Sequence, residues 1–171
     1  YCIIIRQYNI YVICLRQEKI REMSEKKNEG GGRKVEKRQV ILASHGEFSK
    51  GLRDSLKMIL GECAEHVRAY SLYPGETASD FKEELEKEIN ANRDTEFVIL
   101  TDVFGGSVCN ALMTLTVCEN VKLFAGMNFN MAAEVLTQGV PLTAKAVEEI
   151  LDTSKEGIMQ VVLKKEEEED F

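Results

Sequence analysis

The sequence predicts an α/β protein, a doubly wound parallel sheet with helices on both faces, and three observations carry that prediction. Short continuous apolar runs such as Val40-Ile41-Leu42-Ala43 and Phe97-Val98-Ile99-Leu100 are bounded by turn residues, the pattern of strands buried on both faces. Between them lie segments whose apolar residues recur at helical spacing. The two kinds of segment alternate as βαβαβαβ, which joins parallel strands by right-handed crossover helices. With 171 residues, 44% of them hydrophobic, the chain can bury one domain core and carry tails, and is short for two domains.

A first strand spans residues 38–44. After it, Phe48, Leu52, Leu56, Ile59 and Leu60 fall on one helical face, and Gly61 stands where a glycine ends a helix. Residues 66–73 read as a second strand closed by Pro74-Gly75. Thr77 and Asp80 offer a capping box to a helix presenting Phe81, Leu85 and Ile89. The third strand, residues 97–100, runs into the loop Asp102-Val103-Phe104-Gly105-Gly106, and Ser107 is expected to cap a helix through about Cys118. Residues 121–125 make a fourth strand and 131–138 a short helix. Thr143 starts another helix, with Ala146, Val147, Ile150 and Leu151 along it. Gly157 breaks the pattern, and residues 158–163 read as a last strand that needs a sheet edge in its own chain or in a second copy. Tyr70 and Tyr73 are expected to pack, and Met58, Met113 and Met159 to fill gaps in the core.

The domain is expected over 38–165, between a tail or linker, 1–37, and an acidic tail, 166–171. The apolar run 1–15 is too short to span a bilayer as a helix and is interrupted by Arg6, Gln7 and Asn9. It also lacks a signal peptide's basic start and small-residue cleavage site. Residues 24–38, with Gly30-Gly31-Gly32, have a linker's composition, so the functional protein is expected to begin near Met23. The cysteines Cys2, Cys14, Cys63, Cys109 and Cys118 form no CxxC pair, which points to thiols in a reducing compartment and no metal site. The net charge of −7 is uneven: residues 1–39 carry ten basic and five acidic side chains and residues 164–171 two and five, leaving −9 between them. An acidic body argues against nucleic acid and suits a basic protein partner.

His45 is the residue that chemistry singles out. It stands at the end of the first strand, followed at once by Gly46, and in open α/β sheets ligands bind beyond the carboxyl ends of the strands. Imidazole exchanges protons and accepts phosphoryl groups near neutral pH. Loops after the third and fourth strands should converge on the same crevice, bringing Asp102 and Ser107, and Asn128 and Asn130. A carboxylate on one ring N–H fixes the tautomer and leaves the other nitrogen as nucleophile. Gly105-Gly106-Ser107 leads into a helix start, where amides and a hydroxyl can hold a phosphate. Taken singly, Asp102 fits an ordinary loop aspartate, Gly105-Gly106 an ordinary turn and Ser107 a plain cap; together they fit a phosphoryl site. The other histidine, His66, lies among charged residues and reads as a surface side chain.

Five segments in order carry a resemblance: Ile41-Leu42-Ala43-Ser44-His45-Gly46, Gly51-Leu52, Tyr73-Pro74-Gly75-Glu76, Thr101 to Ser107 with Asn110-Ala111, and Ala125-Gly126-Met127-Asn128. Residues 38–163 resemble the mannose-class enzyme IIA domain of the bacterial phosphoenolpyruvate-dependent sugar phosphotransferase system. The resemblance implies a cytoplasmic phosphotransferase without a cofactor, in which His45 takes a phosphoryl group from HPr and passes it to a IIB component. IIB then phosphorylates sugar entering through membrane subunits. Asp102 matches the aspartate that orients the histidine, and Ser107 lies in the loop around the phosphoryl group. The implied fold is a four-stranded parallel sheet of order 2-1-3-4, with an antiparallel C-terminal strand, here 158–163, exchanged in a homodimer. Val108 departs from the proline that commonly follows Gly-Gly-Ser, and no IIB domain follows in this chain.

A hydrolase triad of Ser107, His45 and Asp102 is disfavoured, because the serine lacks a GxSxG elbow and follows the histidine in the chain. The phosphocarrier subunit of a dihydroxyacetone kinase and a non-catalytic regulatory module on the same fold are the remaining alternatives. No GxxxxGK[ST] or GxGxxG nucleotide loop is present.

Overall fold

A computed structural model describes residues 35–163; the run 1–15, most of the linker 24–38 and the acidic run 166–170 lie outside the described residues. Strands β1 (Lys37–His45), β2 (Arg68–Leu72), β3 (Thr95–Thr101) and β4 (Val121–Ala125) form one parallel sheet in the order β2-β1-β3-β4. The helices are α1 (Phe48–Leu60), α2 (Ser79–Ala91), α3 (Ser107–Met113), α4 (Phe129–Thr137) and α5 (Ala144–Glu156).

The apolar run of β1 is continuous because both of its faces are covered. Successive side chains on a strand point to opposite faces. Val40 and Leu42 pack with Leu52 and Leu56 of α1, Ala132 and Val135 of α4 and Ile150 of α5. Ile41 and Ala43 pack on the other face with Leu85 and Ile89 of α2 and Val108 and Leu112 of α3. The sheet is thus doubly wound, as expected. Burying each valine, leucine or isoleucine among them contributes roughly 1.5–3 kcal/mol, and the two cores hold the strand ends level.

At the amino end of the sheet, Arg38 of β1 and Glu96 of β3 are register partners and form a buried ion pair at 2.8 Å. The guanidinium also donates to the carbonyls of Val135, Gln138 and Gly139, and the second oxygen of Glu96 accepts the Leu142 N–H. Burial lowers Arg38 from its ordinary pKa, and the attraction of Glu96 opposes that shift. The pair fastens the α4–α5 connection to the sheet.

Several local expectations are corrected. Gly61 ends α1 with φ 57°, but a 3₁₀ turn, Gly61–Ala64, continues from it, and another, Thr114–Val117, continues α3. On α1 the buried residues are Ser49, Leu52 and Leu56, while Phe48 and Ile59 are partly exposed. Ala78, not Thr77, precedes α2, and no side chain caps it. Thr143 does cap α5, accepting the Ala146 N–H at 3.1 Å. Met58, Met113 and Met159 are exposed; Met127 and Met131 are the methionines that enter the core. Residues 158–163 form no strand in the single chain and are exposed throughout.

Candidate active site

β1 ends on His45 and β3 ends one residue before Asp102, so two neighbouring parallel strands deliver both side chains to one crevice. It is the point where the strand order reverses, β1 crossing to β2 on one side and β3 to β4 on the other, which is where open α/β sheets bind ligands. Asp102 Oδ2 accepts the His45 backbone N–H at 2.8 Å and stands 2.8 Å from ring Nδ1. Asp102 Oδ1 accepts the Val103 N–H at 2.9 Å. Burial pushes this carboxyl upward, but the bonds from the His45 backbone, the His45 ring and the Val103 backbone outweigh it and hold it below its usual value.

An ionised carboxylate only accepts, so Nδ1 carries a hydrogen, and in the neutral ring Nε2 keeps its lone pair. The Ser107 hydroxyl, 2.9 Å from Nε2, is then the donor. The imidazole is therefore held at both nitrogens. Its side chain is 43% exposed whereas that of Asp102 is 14% exposed, so the imidazole faces solvent and the carboxylate lies beneath it.

The two loop glycines serve different needs. Gly105 has φ 78°, in the left-handed region that favours glycine. Gly106 makes room for the ring: a Cβ there would stand 3.2 Å from His45 Cε1 and 2.7 Å from Val103 Cγ1. Gly106 is also the residue that precedes α3, so Ser107 is the first helical residue rather than the cap, and its hydroxyl is spent on His45. The Gly106 N–H donates to Val103 O at 3.3 Å, and the Asn110 N–H returns to Gly106 O at 2.9 Å. The amides of Ser107, Val108 and Cys109 precede that first helical bond, whereas the Gly106 amide is already bonded to Val103. Val108 is buried and α3 starts normally with it in place of proline.

Asn128 and Asn130 follow the carboxyl end of β4, and the bonds and contacts of both run to α4, α5 and the residue after it. Asn128 caps α4 through Met131 N at 2.9 Å and donates to Ser154 O at 3.2 Å, and Asn130 lies against Gly157. His66 is exposed and far along the chain from the crevice. Tyr70 stacks on Phe81, with ring centroids 4.0 Å apart, but Tyr73 is not a packing residue. Tyr73 donates its hydroxyl hydrogen to Glu47, and Lys50 donates to the Tyr73 oxygen at 2.6 Å and to Glu47 at 3.2 Å. Those bonds, Tyr73 first, lower the Glu47 carboxyl. Sequence reasoning missed this cluster, for which the one available signal was the place of Glu47 two residues after His45. Among the described residues no three His, Cys, Asp or Glu side chains gather to hold a metal ion, and no helix is long and apolar enough to cross a membrane.

A parallel α/β sheet of order 2-1-3-4 is the architecture of solved phosphotransferase-system IIA structures. The chain belongs to that family: the family described as "PTS system fructose IIA component" matches residues 39–153. It is 32% identical over 105 residues to the "PTS system sorbose-specific EIIA component" of Klebsiella pneumoniae, covering 61% of this chain and 76% of that one. It is 29% identical over 100 residues to the "PTS system fructose-specific EIIA component" of Bacillus subtilis (strain 168), covering 57% and 68%. In fold it matches the "Mannose/sorbose specific IIA subunit of phosphotransferase system" from Enterococcus faecalis with a TM-score of 0.66, at 23% identity over 76% of this chain and 98% of that chain. The protein is thus a IIA component of the sugar phosphotransferase system, and the expected resemblance holds over residues 39–153.

Proposed function

We propose that His45 is a phosphoryl carrier, taking the group from the phosphohistidine of HPr in the cytoplasm and passing it to a separate IIB protein during sugar uptake. The observation that carries this reading is the imidazole held at Nδ1 by an ionised carboxylate, with Nε2 facing a hydroxyl at the start of α3. The Nε2 lone pair attacks phosphorus in line, the donor's N–P bond breaks, and its electron pair returns to the donor imidazole. Positive charge then develops on the His45 ring, where Asp102 meets it. The phosphoryl oxygens face the Ser107 hydroxyl, released from Nε2, and the first-turn amides. Such a loose transition state asks for little beyond in-line positioning and a few donors.

Exposed Val103, Phe104 and Phe48, close in sequence to Asp102 and His45, favour protein partners over a small substrate, since an apolar rim excludes water as a partner closes on the site. A homodimer exchanging residues 158–163 fits the same reading. The Asn128–Ser154 bond puts the end of α5 near the carboxyl end of β4, an edge strand among the described residues, so a strand returning along a β4 edge runs antiparallel to it. Ile158, Met159, Val161, Val162 and Leu163 are all exposed in the single chain.

The test is incubation with labelled phosphoenolpyruvate, enzyme I and HPr, mapping label in wild type, His45→Ala and His66→Ala. The expected label is acid-labile, base-stable and lost only in His45→Ala. Full labelling of His45→Ala, or an acid-stable label on Ser107, overturns the reading, and failure of wild type to pass its label to any IIB protein favours a regulatory module.

A further inference from the structure

The turn that carries His45 is held by groups from several parts of the fold. Its backbone N–H is taken by Asp102, and the next N–H, of Gly46, by Leu72 O of β2 at 2.8 Å. Glu47, which precedes α1, contributes no side-chain cap to that helix. The capping is done from within the strand: Ser44 Oγ accepts the Ser49 N–H at 2.8 Å and donates to Gly46 O at 3.4 Å. Both serines are fully buried. Ser49 extends the network with its own hydroxyl, donating to Tyr70 O at 2.7 Å and lying 3.2 Å from Ser71 Oγ.

We propose that Ser44 is a positioning residue for the phosphoryl transfer assigned to His45, its hydroxyl closing the β1–α1 turn so that the imidazole meets Asp102 and Ser107 together. The claim rests on the phosphocarrier reading. Gly46 adopts φ 56°, a conformation with many neighbours for glycine and therefore one that needs outside restraint. Removing the Ser44 hydroxyl leaves the N–H of buried Ser49 without its acceptor and the carbonyl of half-buried Gly46 without that donor. The turn then relaxes, and the ring cannot keep two directional bonds at opposite nitrogens. A displacement of about 1 Å at a reacting atom costs on the order of a hundredfold in rate.

The two serines separate positioning from mere stability. In Ser49→Ala the backbone N–H that Ser44 accepts is kept and only the link to β2 is lost, so that variant should melt earlier yet transfer at the wild-type rate per folded molecule. Ser44→Ala, in the full chain with phosphorylated HPr, should lose roughly tenfold to a hundredfold in kcat with KM for HPr unchanged. Ser44→Thr should restore the rate. Nitrogen-15 spectra of the His45 ring should show the Nδ1–H tautomer less populated in Ser44→Ala and unaltered in Ser49→Ala. Wild-type turnover and ring spectra in Ser44→Ala, or an equal loss of rate in Ser49→Ala, overturn the proposal. If wild type takes no label on His45, the phosphocarrier reading falls instead, and the ring spectra still decide whether Ser44 orients the imidazole.

Discussion

Asp102 uses one oxygen to hold both the backbone and the ring of His45, and the other to hold the start of its own loop. An amide in its place offers one acceptor where two are needed and carries no charge. Asp102→Asn should therefore keep the fold and slow phosphoryl transfer by on the order of a hundredfold or more, measured against IIB at saturating phosphorylated HPr. Equal rates and equal melting temperatures would reduce Asp102 to an ordinary loop side chain. The pH dependence has a definite sign. Because the native carboxyl is held below its usual value, its stabilising contribution is complete above the unfolded carboxylate range and is lost as pH falls through the depressed native value. Urea titrations should accordingly find the stability gap between wild type and Asp102→Asn constant near neutrality, and closing only in that acid range.

Between strands and connections, the Arg38–Glu96 pair decides where the α4–α5 connection sits. Five guanidinium donors are matched by Glu96 and three carbonyls, with the side chains 6% and 3% exposed, so neither partner can be solvated if the other is removed. Glu96→Gln should lower stability by about 3 kcal/mol in chemical denaturation. His45 lies at the opposite end of β1, so transfer per folded molecule should be unchanged; a loss below about 1 kcal/mol would mean that water enters and solvates Arg38. In the sequence, the sign of this lock was only a carboxylate directly before a run of four apolar residues, and its partner could not be named. Ser107 illustrates the same limit. Its role as a cap was a fair reading of residue type, yet the tertiary approach of β1 gave its hydroxyl to the imidazole.

At the scale of the whole molecule, residues 158–163 leave the folded unit as an exposed apolar segment, and among the described residues β4 pairs on one side only, with β3. Exposed backbone groups on both invite pairing between copies. Deleting residues 157–171 should convert a dimer into monomer or aggregate, read by light scattering; a soluble, stable dimer after deletion would remove the exchanged-strand arrangement, as would a native protein that is monomeric.

Strand and helix periodicity, the crossover alternation and the strand-end place of His45 are properties of local sequence, because side-chain period and turn chemistry operate within a few residues. They were sufficient for the α/β class, the parallel sheet and the pairing of His45 with Asp102, since neighbouring parallel strands end in one crevice. What lies across the chain needed the tertiary structure. Strand packing decided that Met58 and Met113 face solvent while Met127 and Met131 are buried, that Asn128 clamps α5 instead of entering the site, and that Gly106 spends its amide on Val103. Ser44 and Ser49 show the reason most directly. Nothing in their type separates a buried hydroxyl that shapes a turn from one on a surface; only the surrounding strands and helix, by excluding water, make each hydrogen bond obligatory.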